Sequence, residues 1–135
     1  MSDVNGDGKE DVVGFFNQGA YVSLSTGDGF SQPKLWVEAF GKNTGWGTNA
    51  RLRYMSDVNG DGKQDVVGFS HSGVFVSISD GNTFKSPTKW ISAYGYRAGN
   101  WRKSDHKRTL SDTNGDGKAD VVGFGNAGVY VSTSR

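Results

Sequence analysis

No cysteine occurs in the chain, so disulfide staples are excluded and reinforcement must come from bound ions or association. The net charge is only +1, which provides no global field for nucleic acid or an anionic membrane surface. No apolar run approaches the ~20 residues of a membrane span, and no signal-peptide hydrophobic segment opens the chain. Helical periodicity is also missing. What remains is 34% hydrophobic residues and 21 glycines in 135 residues, a composition suited to short strands and many turns in a single domain over 1–135.

One loop occurs three times: Asp3-Val4-Asn5-Gly6-Asp7-Gly8-Lys9-Glu10-Asp11, then residues 57–65, then residues 112–120. Its donors are Asp3, Asn5, Asp7 and Asp11; Asp57, Asn59, Asp61 and Asp65; and Asp112, Asn114, Asp116 and Asp120. Each set stands at loop positions one, three, five and nine. A glycine at position six lets the backbone turn, and the carbonyls of Lys9, Lys63 and Lys118 complete an all-oxygen donor set. Calcium takes about 6–8 such oxygens. An empty loop would crowd about three negative charges, so Ca²⁺ binding and folding are expected to be coupled. An EF-hand requires a bidentate Glu at position twelve, where this chain has Gly14, Gly68 and Gly123. The following Val-Val-Gly-Phe segments are β-branched and glycine-punctuated, so these loops are expected between strands.

The loops recur roughly every 55 residues, a spacing typical of propeller blades. After each loop and its first strand comes a period-two strand: Ala20, Val22 and Leu24 alternate with Tyr21, Ser23 and Ser25, and the same pattern follows at 74–79 and 129–134. A third strand is expected over Lys34 to Phe40 and Thr88 to Tyr94, each entered through a proline, as befits an outer edge. A fourth, Arg51 to Ser56 or His106 to Ser111, leads into the next loop. Named A to D with the metal loop between A and B, the strands read B-C-D, A-B-C-D, A-B-C. The fold class is therefore all-β, with four-stranded antiparallel propeller blades and about two and a half repeats. Bare strand edges and apolar faces at both ends predict self-association into a closed ring or a longer parent.

The loop with its Val-Val-Gly-Phe continuation and Gly128-Val129-Tyr130-Val131-Ser132 resembles the FG-GAP or VCBS class of calcium-loop propeller repeats. Ser25-Thr26-Gly27-Asp28-Gly29-Phe30, Pro33, Trp36, Phe40-Gly41 and Trp46 are echoed by Phe84, Pro87, Trp90, Tyr94-Gly95 and Trp101. This pattern is similar to the repeat of the Psathyrella velutina lectin family. The resemblance implies a calcium-stabilised, multivalent binder of N-acetylglucosamine or sialic-acid-type glycans, with pockets between blades. Such calcium dependence favours an extracellular setting. A structural or protein-binding propeller without sugar binding is the alternative.

Antiparallel strands put the A-to-B metal loops on one face and the B-to-C and D-to-A loops on the other. The candidate sugar-binding residues on that second face are Trp46, Asn49, Tyr96, Asn100, Trp101, Arg102, His106, His71 and Asn126. Aromatic rings offer apolar faces to a sugar ring, while Asn, Arg and His bond its hydroxyl or acetamido groups. Trp46 and Trp101 read equally as wedges between blades; Trp36 and Trp90 read as packing residues. Arg53 and Arg108 occupy equivalent positions and read as structural. Nine of the 14 acidic residues are spent in the metal loops, and of the rest only Asp105 is expected on the ligand face. Glycoside hydrolysis needs two carboxylates, so a binding module is favoured over an enzyme.

Overall fold

In the computed structural model, residues 2–44, 46, 52–95, 99, 101 and 107–135 are described. The first sheet contains β1 (Val12–Phe15), β2 (Ala20–Ser23) and β3 (Lys34–Val37). The second contains β4 (Leu52–Ser56), β5 (Asp65–Ser70), β6 (Gly73–Ser77) and β7 (Thr88–Ile91). The third contains β8 (Arg108–Ser111), β9 (Asp120–Gly125) and β10 (Gly128–Ser132). Strands neighbour one another in chain order, and every pair is antiparallel. The three-, four- and three-stranded sheets are the B-C-D, A-B-C-D and A-B-C sets expected from the repeat.

Two apolar clusters lie between consecutive sheets. In the first, Ala20, Val22, Trp36 and Phe40 meet Val66 and Phe84 of the second sheet. In the second, Val74, Val76 and Tyr94 meet Ala119, with Leu110 and Val121 packed beside them. One side of β2 and of β6 therefore faces forward onto the next sheet, and a fully buried valine there contributes about 1.5–3 kcal/mol. Glycine within a strand admits the neighbouring blade. A Cβ on Gly68 would lie 2.5 Å from Trp46 Cη2, and one on Gly123 would lie 2.6 Å from Trp101 Cη2.

The outer strands stop earlier than the sequence suggests, at Val37 and Ile91 rather than at Phe40 and Tyr94. Phe40 and Tyr94 both adopt φ of 62°, which no strand accommodates. Arg53 Nη1 donates to the Phe40 carbonyl at 2.7 Å, and Arg108 Nη1 donates to the Tyr94 carbonyl at 2.8 Å. These arginines, each from the first strand of the following sheet, hold the turn in place. Lys42–Thr44 form a short 3₁₀ turn, fixed by Thr44 Oγ1 accepting the Gly41 N–H at 3.0 Å. Among the described residues, no helix is long and apolar enough to cross a membrane.

Candidate functional site

The three acidic loops share one hydrogen-bond scheme. In the second, Asp57 Oδ1 accepts the Gly60 N–H at 2.8 Å, and Oδ2 accepts the Gly62 N–H at 2.9 Å. Asp3 and Asp112 accept the corresponding N–H groups at the same distances. Asn5, Asn59 and Asn114 each accept the N–H two residues on through Oδ1. Asp7, Asp61 and Asp116 accept the N–H of Lys9, Lys63 and Lys118. This last bond holds the Asp7 carboxyl below the usual carboxylate range.

The ninth residue is a buried anchor. Asp65 accepts the Val58 N–H at 3.1 Å on one oxygen and the Ser79 N–H at 2.9 Å on the other. Asp11 is bonded in the same way by Val4 and Ser25, and Asp120 by Thr113 and Ser134. All three carboxylates have 0% exposure. Burial pushes the Asp65 carboxyl up to about 6 against its two N–H donors, and the charges of Asp61 and Asp57 push the same way. At Asp120 burial also acts upward, but the Ser134 and Thr113 N–H groups and the Thr113 hydroxyl outweigh it and lower the value.

Carboxylate oxygens of Asp57, Asp61 and Asp65 lie within 4.8 Å of one another. The donor set consists of hard oxygens oriented by backbone N–H groups and carries excess negative charge, which fits a hard divalent cation. Lys63 Nζ lies 3.8 Å from Asp61 and only partly offsets that charge.

On the opposite face, a cleft of about 510 Å³ separates the first and second sheets. Trp46 and His71, both expected at a ligand site, line it together with Glu38, Thr44, Ser70 and Ser72. Trp46 is 8% exposed and tilts against Phe40 at 5.1 Å between ring centroids, so it serves as a wedge as well as a wall. Glu38 is a second acidic residue on this face, beyond the expected Asp105. It reaches the cleft because β3 ends at Val37 and the chain turns onto the loop side. The conformation of Phe40 was the missing signal.

Trp101 sits against the third sheet, 5.1 Å from Tyr94 and 6.0 Å from Tyr130 between ring centroids. Asn126 lies exposed on the turn between β9 and β10. Asn49, Tyr96, Asn100, Arg102 and His106, and with them Asp105, lie outside the described residues. Of the basic cluster, Lys107 is exposed, while Arg108 is buried over the Phe69 ring at 5.7 Å.

A larger cleft of about 750 Å³ between the second and third sheets is mainly apolar and includes Val74, Val76, Trp90 and Val131. Trp36 is packed as expected, 5.1 Å from Phe84 between ring centroids, but Trp90 is 42% exposed. Phe84, from the second blade, covers Trp36.

Residues 57–123 match the FG-GAP-like repeat family. Over 98% of its length the chain superposes, with a TM-score of 0.93 and 37% identity, on a solved lectin from Agrocybe aegerita. That lectin is described as specifically recognising non-reducing terminal N-acetylglucosamine, and the match spans 33% of its chain. No curated protein sequence matches the chain.

Proposed function

The chain is an FG-GAP-like repeat protein of the Psathyrella velutina lectin kind, and on that premise we propose that it is a calcium-stabilised carbohydrate-binding protein. Its ligands are glycans ending in N-acetylglucosamine or a related N-acetylated sugar such as sialic acid. The observation that carries this reading is the full-length likeness, at 37% identity, to a lectin described as recognising terminal N-acetylglucosamine. The domain spans 1–135, and its role is binding without catalysis. Glu38 is the only carboxylate lining the described cleft, whereas glycoside hydrolysis uses two.

Calcium would be held by Asp57, Asn59, Asp61, the Lys63 carbonyl and Asp65, and by the equivalent groups of the other two loops. Its chemistry is charge neutralisation, which lets Asp65 remain ionised in a buried setting. Because Asp65 also binds the N–H of Ser79 beyond β6, fixing the loop fixes the two strands that end there.

Sugar recognition uses the opposite face. Trp46 contributes an apolar wall, while His71, Ser72 and Glu38 supply hydrogen-bonding groups for hydroxyls and an acetamido N–H. Repetition of such clefts around an assembly makes weak sites multivalent. The burial of Trp46 against Gly68 also supports a second reading, a propeller scaffold whose aromatics serve packing alone.

A glycan array probed with calcium-loaded and with chelated protein separates the two. Saturable binding to N-acetylglucosamine-terminated glycans, lost on chelation, is expected. A folded, calcium-loaded sample that binds no N-acetylated sugar overturns the lectin reading and leaves the scaffold.

A further inference from the structure

The cleft between the first and second sheets has two walls of different origin. Thr44 and Trp46 stand on the chain that leaves β3, whereas Ser70, His71 and Ser72 lie at the connection of β5 to β6. That connection is tied within itself: Ser70 Oγ donates to the Gly73 carbonyl at 3.2 Å and accepts the Ser72 N–H at 3.3 Å. These bonds fix its shape. Its place in the blade is fixed by the backbone packed against it.

Two glycines supply that backing. A Cβ on Gly73 would lie 2.1 Å from the Ile91 carbonyl oxygen, and one on Gly95 would lie 2.4 Å from the Ser70 carbonyl oxygen and 2.5 Å from that of His71. The obstructing atoms are backbone, so only glycine permits these approaches. Gly95 therefore rests directly on the His71 turn. Gly41 does the same in the first sheet, where its Cβ would meet the Phe16 and Asn17 carbonyl oxygens at 2.4 and 2.7 Å. The contact is a repeated element of the blade.

Gly95 is in turn placed from the third sheet. It follows Tyr94, whose left-handed backbone is clamped by the bond from Arg108 on β8 to its carbonyl. The Tyr94 hydroxyl also shares a hydrogen bond with Ser132 Oγ on β10 at 2.9 Å. Arg108 lies over the ring of Phe69 as well, the residue just before Ser70. One buried side chain thus bears on the His71 turn from two directions.

We propose that Arg108 is a positioning residue for the cleft between the first and second sheets, although it belongs to the third. It holds Tyr94, Tyr94 sets Gly95, and Gly95 backs the turn that presents His71. Close-packed interiors transmit displacement rather than absorb it, so loosening Tyr94 shifts the His71 wall against the Trp46 wall. The consequence for recognition rests on the sugar-binding reading; the mechanical link rests on the contacts alone.

The test reads His71 itself. His71 and His106 are the only histidines, so the imidazole signal that survives His106→Gln in an NMR spectrum is that of His71. It is followed in the free, calcium-loaded protein and on titration with the N-acetylglucosamine disaccharide. Arg108→Met should move the free-protein signal and weaken the disaccharide at this cleft about fivefold, the equivalent of one hydrogen bond. Gly95→Ala displaces the turn directly and should act in the same way, and the two changes together should do little more than either alone. Val121→Ala, beside the apolar cluster that includes Tyr94, lowers stability outside this chain of contacts and should move neither readout. A folded Arg108→Met protein in which the His71 signal or the affinity is unchanged overturns the proposal, as does a Val121→Ala protein that changes both equally. A wild-type His71 signal that ignores the disaccharide overturns the sugar reading at this cleft and the recognition role with it, while the free-protein shift still decides the mechanical link.

Discussion

Arg108 donates from Nη1 to the carbonyl of Tyr94 at 2.8 Å and thereby holds a residue in the left-handed region of backbone space. Arg108 is 1% exposed, and its Nε and Nη2 have no hydrogen-bond partner among the described residues. Its stem and its contact with the Phe69 ring contribute packing as well as one bond. Arg108→Ala should lower stability by about 2–4 kcal/mol through the cavity and the freed carbonyl. Arg108→Met restores much of the volume without burying a charge, so it should recover about half of that loss. Denaturant midpoints check both values, and an unchanged midpoint for the alanine variant would remove Arg108 from the structural account.

Calcium stabilisation should grow as pH rises from 5 to 7. In the metal-free protein the Asp65 value is raised to about 6 from an ordinary 3.8. Between those values the folded state binds more protons than the unfolded chain, so the associated stability is complete below about 3.8 and lost as pH rises through about 6. A bound cation favours the ionised form and offsets this loss. Melting curves in calcium and in chelator should draw apart as pH rises from 5 through about 6 and run parallel once Asp65 is ionised in both; curves that stay parallel from pH 5 to 7 would contradict the coupling.

The same carboxylate in two loops should respond differently to neutralisation. At pH 7 in chelator, Asp120→Asn removes a charge that its hydrogen bonds favour, whereas Asp65→Asn removes one that burial opposes. Both variants give up one of two carboxylate acceptors. Asp120→Asn is therefore expected to be the more damaging, as read from urea midpoints. Equal losses would mean that the acceptor count alone governs these positions.

Gly68→Ala introduces a Cβ at 2.5 Å from the Trp46 ring and should cost about 1–3 kcal/mol by overpacking. Adding Trp46→Phe should return part of that loss, although the smaller ring packs less well against Phe40. A double-mutant cycle with no coupling between the two positions would place the ring elsewhere.

The acidic loops and the strand order were readable because each rests on local chemistry: Asp, Asn and Gly spacing in the first case, period-two alternation and β-branching in the second. The end of β3 was not. Phe40 leaves the strand conformation through a bond from Arg53, thirteen residues away, and such a tertiary contact has no local signature. Glu38 was placed off the ligand face for the same reason. Burial of Trp36 and exposure of Trp90 could not be told apart either, because Trp36 is covered by a tertiary contact with Phe84 that has no local signature. Conversely, strand direction put the loops of Trp46 and His71 on one face, and both residues line one cleft there.

That pairing yields a test of the cleft itself. His71 is half-buried on a turn, so His71→Ala should cost clearly less stability than Trp46→Ala. If it bonds the ligand, losing one hydrogen bond of about 1 kcal/mol should weaken binding of an N-acetylglucosamine-terminated glycan about fivefold at that site. Trp46→Ala should instead lose stability and binding together, by about 3 kcal/mol or more for the former, because the ring also plugs the gap against Phe40 and Gly68. Calorimetric titration alongside thermal melts resolves the two. Binding that survives both substitutions would place recognition away from this cleft, with the loops around Trp101 the next to be probed.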